Sequence, residues 1–264
     1  MTKIDKNKKQ TLKEYLISHN IVKTEEEAKR EVLAGNVINA NRKFSSAMEM
    51  VFASDSIWLK KANKQYVSRG GDKIASTFKE FNISVLGQLC IDCGASTGGF
   101  TDFLIQQGAQ NVIAIDVGYG ILAHKLMVHP KVLQIERTNI RNLNLASISA
   151  LIQTHKKNLN GEIKLPASIV TADLSFISLR IILPVIKNFI CSQANLLLLF
   201  KPQFELPKEH IPKGGVVTNT AEIKQSIQDF ILFSQENGYK YITQKECKVK
   251  GTKGNQEFFI HLQS

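Results

Sequence analysis

Apolar and polar positions follow two different periods along this chain, and the change from one to the other predicts its elements. Short, nearly unbroken apolar runs lie at residues 89–92, 112–115, 132–135, 168–172 and 194–200. Runs of that length without polar alternation predict strands buried on both faces. Helical spacing fills the intervals, over 100–107 up to Gly108, 143–165, 177–189 around Pro184, and 221–237 up to Gly238. Two last strands are predicted at 239–249 and 257–262, with a turn at 251–255. Strands alternating with helices and then a closing hairpin predict an α/β fold. Its sheet is doubly wound, mostly parallel and seven-stranded, with one antiparallel strand at its end.

The chain ahead of residue 89 reads differently. Residues 1–10 are polar and lysine-rich, which predicts a flexible tail. Leu12, Tyr15 and Leu16 recur at helical spacing. Thr24-Glu25-Glu26-Glu27 reads as a capping box with Thr24 at the N-cap. It opens a helix with Ala28, Val32 and Leu33 inward, Lys29 and Arg30 outward, and Gly35 at its end. A short hairpin is predicted over 37–42. A small α+β domain over 11–62 follows, then a linker at 63–71 and a large domain over 72–264. The stretch from Tyr66 reads YVSRGGDK, and a helix predicted over 74–81 puts Lys73 in a first turn. A cation there opposes the helix dipole, so local stability does not account for it.

Candidate chemistry centres on 89–122. Gly94, Gly98 and Gly99 fall between the first strand and the first helix of the large domain. Glycines let backbone N–H groups and a helix start approach a ligand. Asp116, at the end of the next strand, is placed to accept hydrogen bonds from two ribose hydroxyls. The glycine spacing is not Gly-x-Gly-x-x-Gly, so the dinucleotide fingerprint fails. A ligand with a ribose but no pyrophosphate, such as S-adenosylmethionine, fits the pattern better. Asp92, Asp116, Asp173 and Lys201 each end a predicted strand, where ligands of open α/β sheets bind.

Charge widens this picture. The 264 residues carry a formal net charge of +11, and the scattered lysines and arginines favour a polyanionic partner. Four cysteines form no secretory framework, which predicts a reduced, cytoplasmic setting. Cys90-x-x-Cys93 has no second pair, so both residues are assigned to packing. No apolar run approaches the roughly 20 residues of a membrane span, and no membrane partner is expected.

The ordered motifs YVSRGGDKI, DCGASTGGFTDFL, AIDVGYG, ERTNIR, ADLSFISL, LFKPQFE, KGGVV and GNQEFF resemble the TlyA family of ribosomal RNA 2′-O-methyltransferases. Members of this family have also been described as hemolysins, and its catalytic domain is similar to the FtsJ ribose methyltransferases. The resemblance implies a Rossmann-like methyltransferase sheet and S-adenosylmethionine as cofactor. It implies ribosomal RNA as partner, methylated at a cytidine, and a small N-terminal domain similar to the α-L RNA-binding module. The family's Lys-Asp-Lys-Glu tetrad falls on Lys73, Asp173, Lys201 and Glu257. Its cofactor site falls on Gly94, Ala95, Ser96, Thr97, Gly98, Gly99, Phe100, Asp116, Val117, Asn139 and Asp173. Lys29, Arg30, Arg42, Lys43 and Arg69 would lie near RNA phosphates, where cations give affinity without reading sequence.

The chemistry matches those residue types. Methyl transfer to a ribose 2′-hydroxyl needs the oxygen in line with the methyl and removal of its proton. A lysine serves as base only when desolvation or a neighbouring cation makes its neutral form accessible. Lys201 is the expected group on the hydroxyl, with Lys73 as helper. Base N-methylation is disfavoured because Asp173-Leu174-Ser175-Phe176 lacks a Pro-Pro-aromatic sequence. Methylation at a ring carbon is disfavoured because no cysteine follows proline. A non-enzymatic pore-forming hemolysin and an RNA-binding protein with an inactive methyltransferase fold are the rival readings. A monomer is expected.

Overall fold

The structure, a computed structural model, describes residues 9–33, 36–39, 42–59, 65–155, 162–251 and 254–264. It divides into two compact units, Met1–Lys64 and Gln65–Ser264.

The first unit holds β1 (Lys9–Thr11), α1 (Leu12–Ser18), α2 (Glu25–Leu33), β2 (Val37–Asn39), β3 (Arg42–Lys43), β4 (Met50–Phe52) and β5 (Ile57–Leu59). Strand β1 pairs antiparallel with β4, and β2 pairs antiparallel with both β3 and β5. Leu12, Leu16, Ala28, Val37 and Val51 form its core. Lys9 and Gln10, expected in the tail, belong to β1, while residues 1–8 lie outside the described residues, as do the turn at 40–41 and the helix end at 34–35. The Thr24 hydroxyl accepts from the Glu27 N–H at 3.1 Å. The Glu27 carboxylate accepts from Lys23 N–H at 2.8 Å, one residue earlier than a capping box requires. The reciprocal box forms instead at Thr11 and Glu14, at the start of α1.

The second unit holds α3 (Arg69–Phe78), β6 (Leu89–Cys93), α4 (Gly99–Gln106), β7 (Asn111–Ile115), α5 (His124–Met127), β8 (Val132–Ile135) and α6 (Leu145–His155). It continues through β9 (Ala167–Ala172), α7 (Leu179–Ile186), β10 (Ile190–Phe200), α8 (Pro202–Glu205), α9 (Thr220–Glu236), β11 (Lys240–Glu246) and β12 (Phe258–Gln263). The sheet order is β11-β12-β10-β9-β6-β7-β8. The five strands from β10 to β8 are parallel, as predicted. The antiparallel strand is β12. It lies between β10 and β11 rather than at the edge, because the chain passes through β11 first and returns inside it.

Period-two alternation sorts the sheet residues into two layers. Ile91, Ile113, Leu133, Val170, Leu198 and Ile260 share one core with α7 and α9. Their neighbours Cys90, Val112, Ile169, Leu197 and Phe259 share the other with α3 and α4. Both faces are covered, which explains the unbroken apolar runs of the sequence.

Two expectations around residue 70 need correction. Residues 65–71 belong to the second unit, where Tyr66 is buried, rather than to a linker. Helix α3 starts at Arg69 and not at Ile74, so Lys73 sits beyond the first turn and the dipole argument lapses. Gly70 and Gly71 are packed helix residues. A Cβ on Gly71 would lie 2.2 Å from Tyr66 Cβ, which leaves room only for glycine.

Candidate active site

The glycine turn after β6 bends by alternating backbone handedness, with φ of 80° at Gly94, 50° at Ser96 and 95° at Gly98. Gly94 and Ala95 donate their N–H groups to the Ile115 carbonyl at 2.9 and 3.1 Å, tying the turn to β7. A Cβ on Gly94 would lie 2.7 Å from the Asp173 carbonyl oxygen. Close approach to β9 therefore requires glycine there. Gly98 is the N-cap of α4 and makes no side-chain cap hydrogen bond; the Asp92 carboxylate accepts instead from the Thr101 N–H in the first turn of that helix.

Beside this turn lies a cavity of about 500 Å³, lined among others by Asp116, Val117, Ile121, Asn139, Ile140 and Asp173. Asp116 bridges two loops: Oδ2 accepts from Ser96 N–H at 2.8 Å and Oδ1 from Gly118 N–H at 2.7 Å. Asn139 caps a single helical turn, its Oδ1 accepting from Arg141 N–H at 3.1 Å. A second cavity, of about 460 Å³, includes Lys73, Lys201, Gln203, Phe204, Asn255 and Glu257 in its lining. Both cavities touch Gly94, Ser96, Asp173, Ser175 and Phe176. Ala95, Thr97, Gly99 and Phe100 border the second cavity. Gly98 does not line either one; a Cβ there would meet Leu126 at 2.3 Å, so its glycine answers to packing.

Four elements far apart in sequence bring the tetrad together. Lys73 comes from α3, Asp173 from the end of β9, Lys201 from the end of β10, and Glu257 from just before β12. Lys73 Nζ donates to Glu257 Oε2 at 2.7 Å and lies 3.9 Å from Asp173 Oδ2. Lys201 Nζ pairs with Asp173 Oδ1 at 2.5 Å and donates to Ser175 Oγ at 3.2 Å. Asp173 thus faces both ammonium groups. Lys73, Lys201 and Glu257 are buried, at 9%, 6% and 2% exposure. Two cations and two anions balance, which is the condition for burying charge without a large penalty.

Asp92 does not join them. It shares the sheet face of Cys90 and is fully buried, accepting from the hydroxyls of Thr101 at 2.7 Å and Thr171 at 3.0 Å. The strand-end pattern places residue 92 at the correct height but cannot say which face it takes. Burial pushes its carboxyl from 3.8 up to about 6, against the pull of both hydroxyls. Because the folded value is the higher one, its stabilising contribution is complete below 3.8 and is lost as pH rises through about 6. The slope is about 1.4 kcal/mol per pH unit at most. Asp92→Asn, whose amide the two rotatable hydroxyls can match, is expected to flatten that fall in denaturant melts taken from pH 4 to 8.

The predicted RNA contacts fall in both units. Lys29 is exposed on α2. Arg30 lies on α2 and Arg42 and Lys43 on β3, with their side chains outside the described residues. Arg69, in the second unit, is exposed and donates Nη2 to the Lys250 carbonyl at 2.9 Å. Sequence reasoning missed Ser175, Phe176, Phe204 and Asn255 as cavity residues. Phe176 is 91% exposed, with φ of 65°. Its ring packs on Phe204 at 5.2 Å between centroids. An aromatic residue bounded by Ser175 and the end of a strand was the available signal.

Residues 66–264 match the family model of the FtsJ-like methyltransferases. The chain is 35% identical over 256 residues to a protein provisionally named rRNA methyltransferase YqxC from Bacillus subtilis, covering 97% of this chain and 86% of that one. It is 36% identical over 220 residues to the 16S/23S rRNA (cytidine-2′-O)-methyltransferase TlyA of Mycobacterium tuberculosis, covering 83% and 74%. A solved structure from Streptococcus thermophilus, described provisionally as a hemolysin, superposes with a TM-score of 0.71 at 31% identity. That match covers 97% of this chain and 88% of the other.

Proposed function

The chain belongs to the FtsJ-like methyltransferase family, and from that premise we propose that it methylates a ribose 2′-hydroxyl of ribosomal RNA, at a cytidine. The observation that carries this reading is the Lys73–Asp173–Lys201–Glu257 cluster, which lines the second cavity and reaches the first through Asp173.

The cofactor is S-adenosylmethionine, which when bound supplies a methyl group on a sulfonium. The residues present fit it. Asp116 keeps a second lone pair on each oxygen for hydroxyl donors, Val117 and Ile121 offer apolar surface, and Asn139 lines the same cavity. Gly94, Ala95, Ser96, Thr97, Gly99 and Phe100 border the second cavity, where the cluster stands. Gly94→Ala must force a side chain into left-handed backbone and against the Asp173 carbonyl. We expect a loss of folding stability of about 1–3 kcal/mol, read in denaturant melts.

In the second cavity, Lys201 Nζ is the group proposed to engage the target 2′-oxygen: it first gives up its own proton to solvent, and the neutral amine then takes the hydroxyl proton as the methyl is transferred. Asp173 orients Lys201 and faces Lys73, which serves as the helper cation, and Glu257 holds Lys73 in place. The exposed Phe176 ring, backed by Phe204, offers a stacking face for the target base. Lys29, Arg30, Arg42, Lys43 and Arg69 are proposed to meet phosphates.

The modification has a chemical signature that tests this reading. Alkaline cleavage of RNA uses the 2′-oxygen as nucleophile, so 2′-O-methylation protects the adjacent phosphodiester. Ribosomal RNA treated with the enzyme and S-adenosylmethionine is expected to gain one or more protected cytidines. An unchanged cleavage ladder, with label incorporated into the RNA, would reject ribose as the acceptor.

A further inference from the structure

The carboxylate of Glu205 is partly buried, has no part in the reaction described above, and is spent on two uncharged donors. Its Oε2 accepts from the Ser178 hydroxyl at 2.6 Å and its Oε1 from the Leu179 N–H at 2.7 Å. Ser178 is the N-cap of α7, and its own hydroxyl already accepts from Arg180 N–H at 3.1 Å. A cap is therefore present without Glu205. Desolvating a carboxylate is costly, and one more cap contact is small compensation. What Glu205 adds is a link between two loops.

We propose that Glu205 is a positioning residue: it clamps the loop after β9 to the turn after β10 and so sets the geometry of the Asp173–Lys201 pair. Lys201 is the N-cap of α8, and Pro202 fixes the backbone at the first helical position. The Lys201 carbonyl accepts from Phe204 N–H at 2.9 Å, and the Pro202 carbonyl from Leu206 N–H at 3.0 Å. Residues 201–205 therefore move as one turn, held by β10 at one end and by Glu205 at the other. Ser178 and Leu179 stand just beyond Asp173 and Phe176 on the opposing loop. The result is a closed ring: chain from Asp173 to Ser178, hydrogen bonds to Glu205, chain back to Lys201, and the 2.5 Å ion pair to Asp173. The Phe176–Phe204 contact lies inside the same ring. Opening it at Glu205 lets the α8 turn rotate about β10. That moves Lys201 Nζ and the Phe204 ring together.

The inference rests on the proposed role of Lys201, and the test separates the two. Wild type, Glu205→Ala, Glu205→Gln and Ser178→Ala are assayed for kcat and for KM of RNA. Each rate is normalised to S-adenosylmethionine-binding sites, so misfolded protein does not count. A misplacement of about 1 Å costs up to roughly 100-fold in rate. Glu205→Ala is expected to lower kcat by about 10- to 100-fold with cofactor affinity unchanged. Glu205→Gln keeps an acceptor for Leu179 and a partner for the Ser178 hydroxyl, and is expected to recover kcat to within about 3-fold. Should Glu205→Ala yield no binding-competent protein, Ser178→Ala removes one of the two links, with an expected loss of about 3- to 10-fold. Wild-type kcat per site in Glu205→Ala would overturn the inference, as would full activity in Ser178→Ala or failure of folded Glu205→Gln to recover. Loss of turnover in Lys201→Ala alongside any of these would leave the Lys201 reading standing.

Discussion

Lys201→Ala is expected to lower single-turnover methyl transfer by about 10²- to 10⁴-fold, the range that positioned acid–base groups contribute. S-adenosylmethionine affinity is expected to stay within about 2-fold, because the residues assigned to adenosine line the neighbouring cavity. The decisive companion is Lys201→Arg. A guanidinium keeps the charge next to Asp173, yet it does not give up a proton in proteins. If Lys201 takes the hydroxyl proton, the arginine variant is as inactive as alanine. If charge alone suffices, arginine retains much of the rate. Single-turnover assays with pre-bound cofactor distinguish these outcomes from slow product release.

The second large effect concerns stability. Glu257→Ala removes the 2.7 Å partner of Lys73 and leaves a buried ammonium whose remaining carboxylate, Asp173, is 3.9 Å away and already paired to Lys201. Breaking one side of a buried pair costs about 3–5 kcal/mol. For a domain of this size that is roughly a 6–20 °C fall in Tm. Replacing both partners, as Lys73→Met with Glu257→Leu, is expected to recover most of that loss while leaving the enzyme inactive. Calorimetric melts of Lys73→Met, Glu257→Leu and the double variant provide the cycle. If the double variant is no more stable than Glu257→Ala, the pair does not behave as a compensated buried unit.

How much of this was legible in the sequence differs residue by residue. The strands of the second unit were readable because a sheet covered on both faces needs unbroken apolar runs. The glycine turn and Asp116 were readable because their requirements are local: left-handed backbone and a carboxylate at a strand end. The start of α3 was not. Gly70 and Gly71 read as breakers, whereas the contact of Gly71 with Tyr66 is what demands glycine. Asp92 resembled a site residue because a run of four letters fixes a strand end but not which layer each side chain enters. The pairing of Lys73 with Glu257 spans 184 residues, a distance only the fold closes. Their motifs, and not their spacing, brought them into one group. Phe176 and Glu205 stood within quoted motifs, yet their partners, Phe204 and Ser178, lie on another loop.

The most direct test of the account is nucleoside analysis after enzymatic methyl transfer. Ribosomal subunits that lack the modification are incubated with the protein and S-adenosylmethionine carrying a labelled methyl group, and the RNA is digested to nucleosides. Label is expected in 2′-O-methylcytidine, and none when Lys201→Ala is used. Label on a base, or no transfer from a protein that binds S-adenosylmethionine, would contradict it.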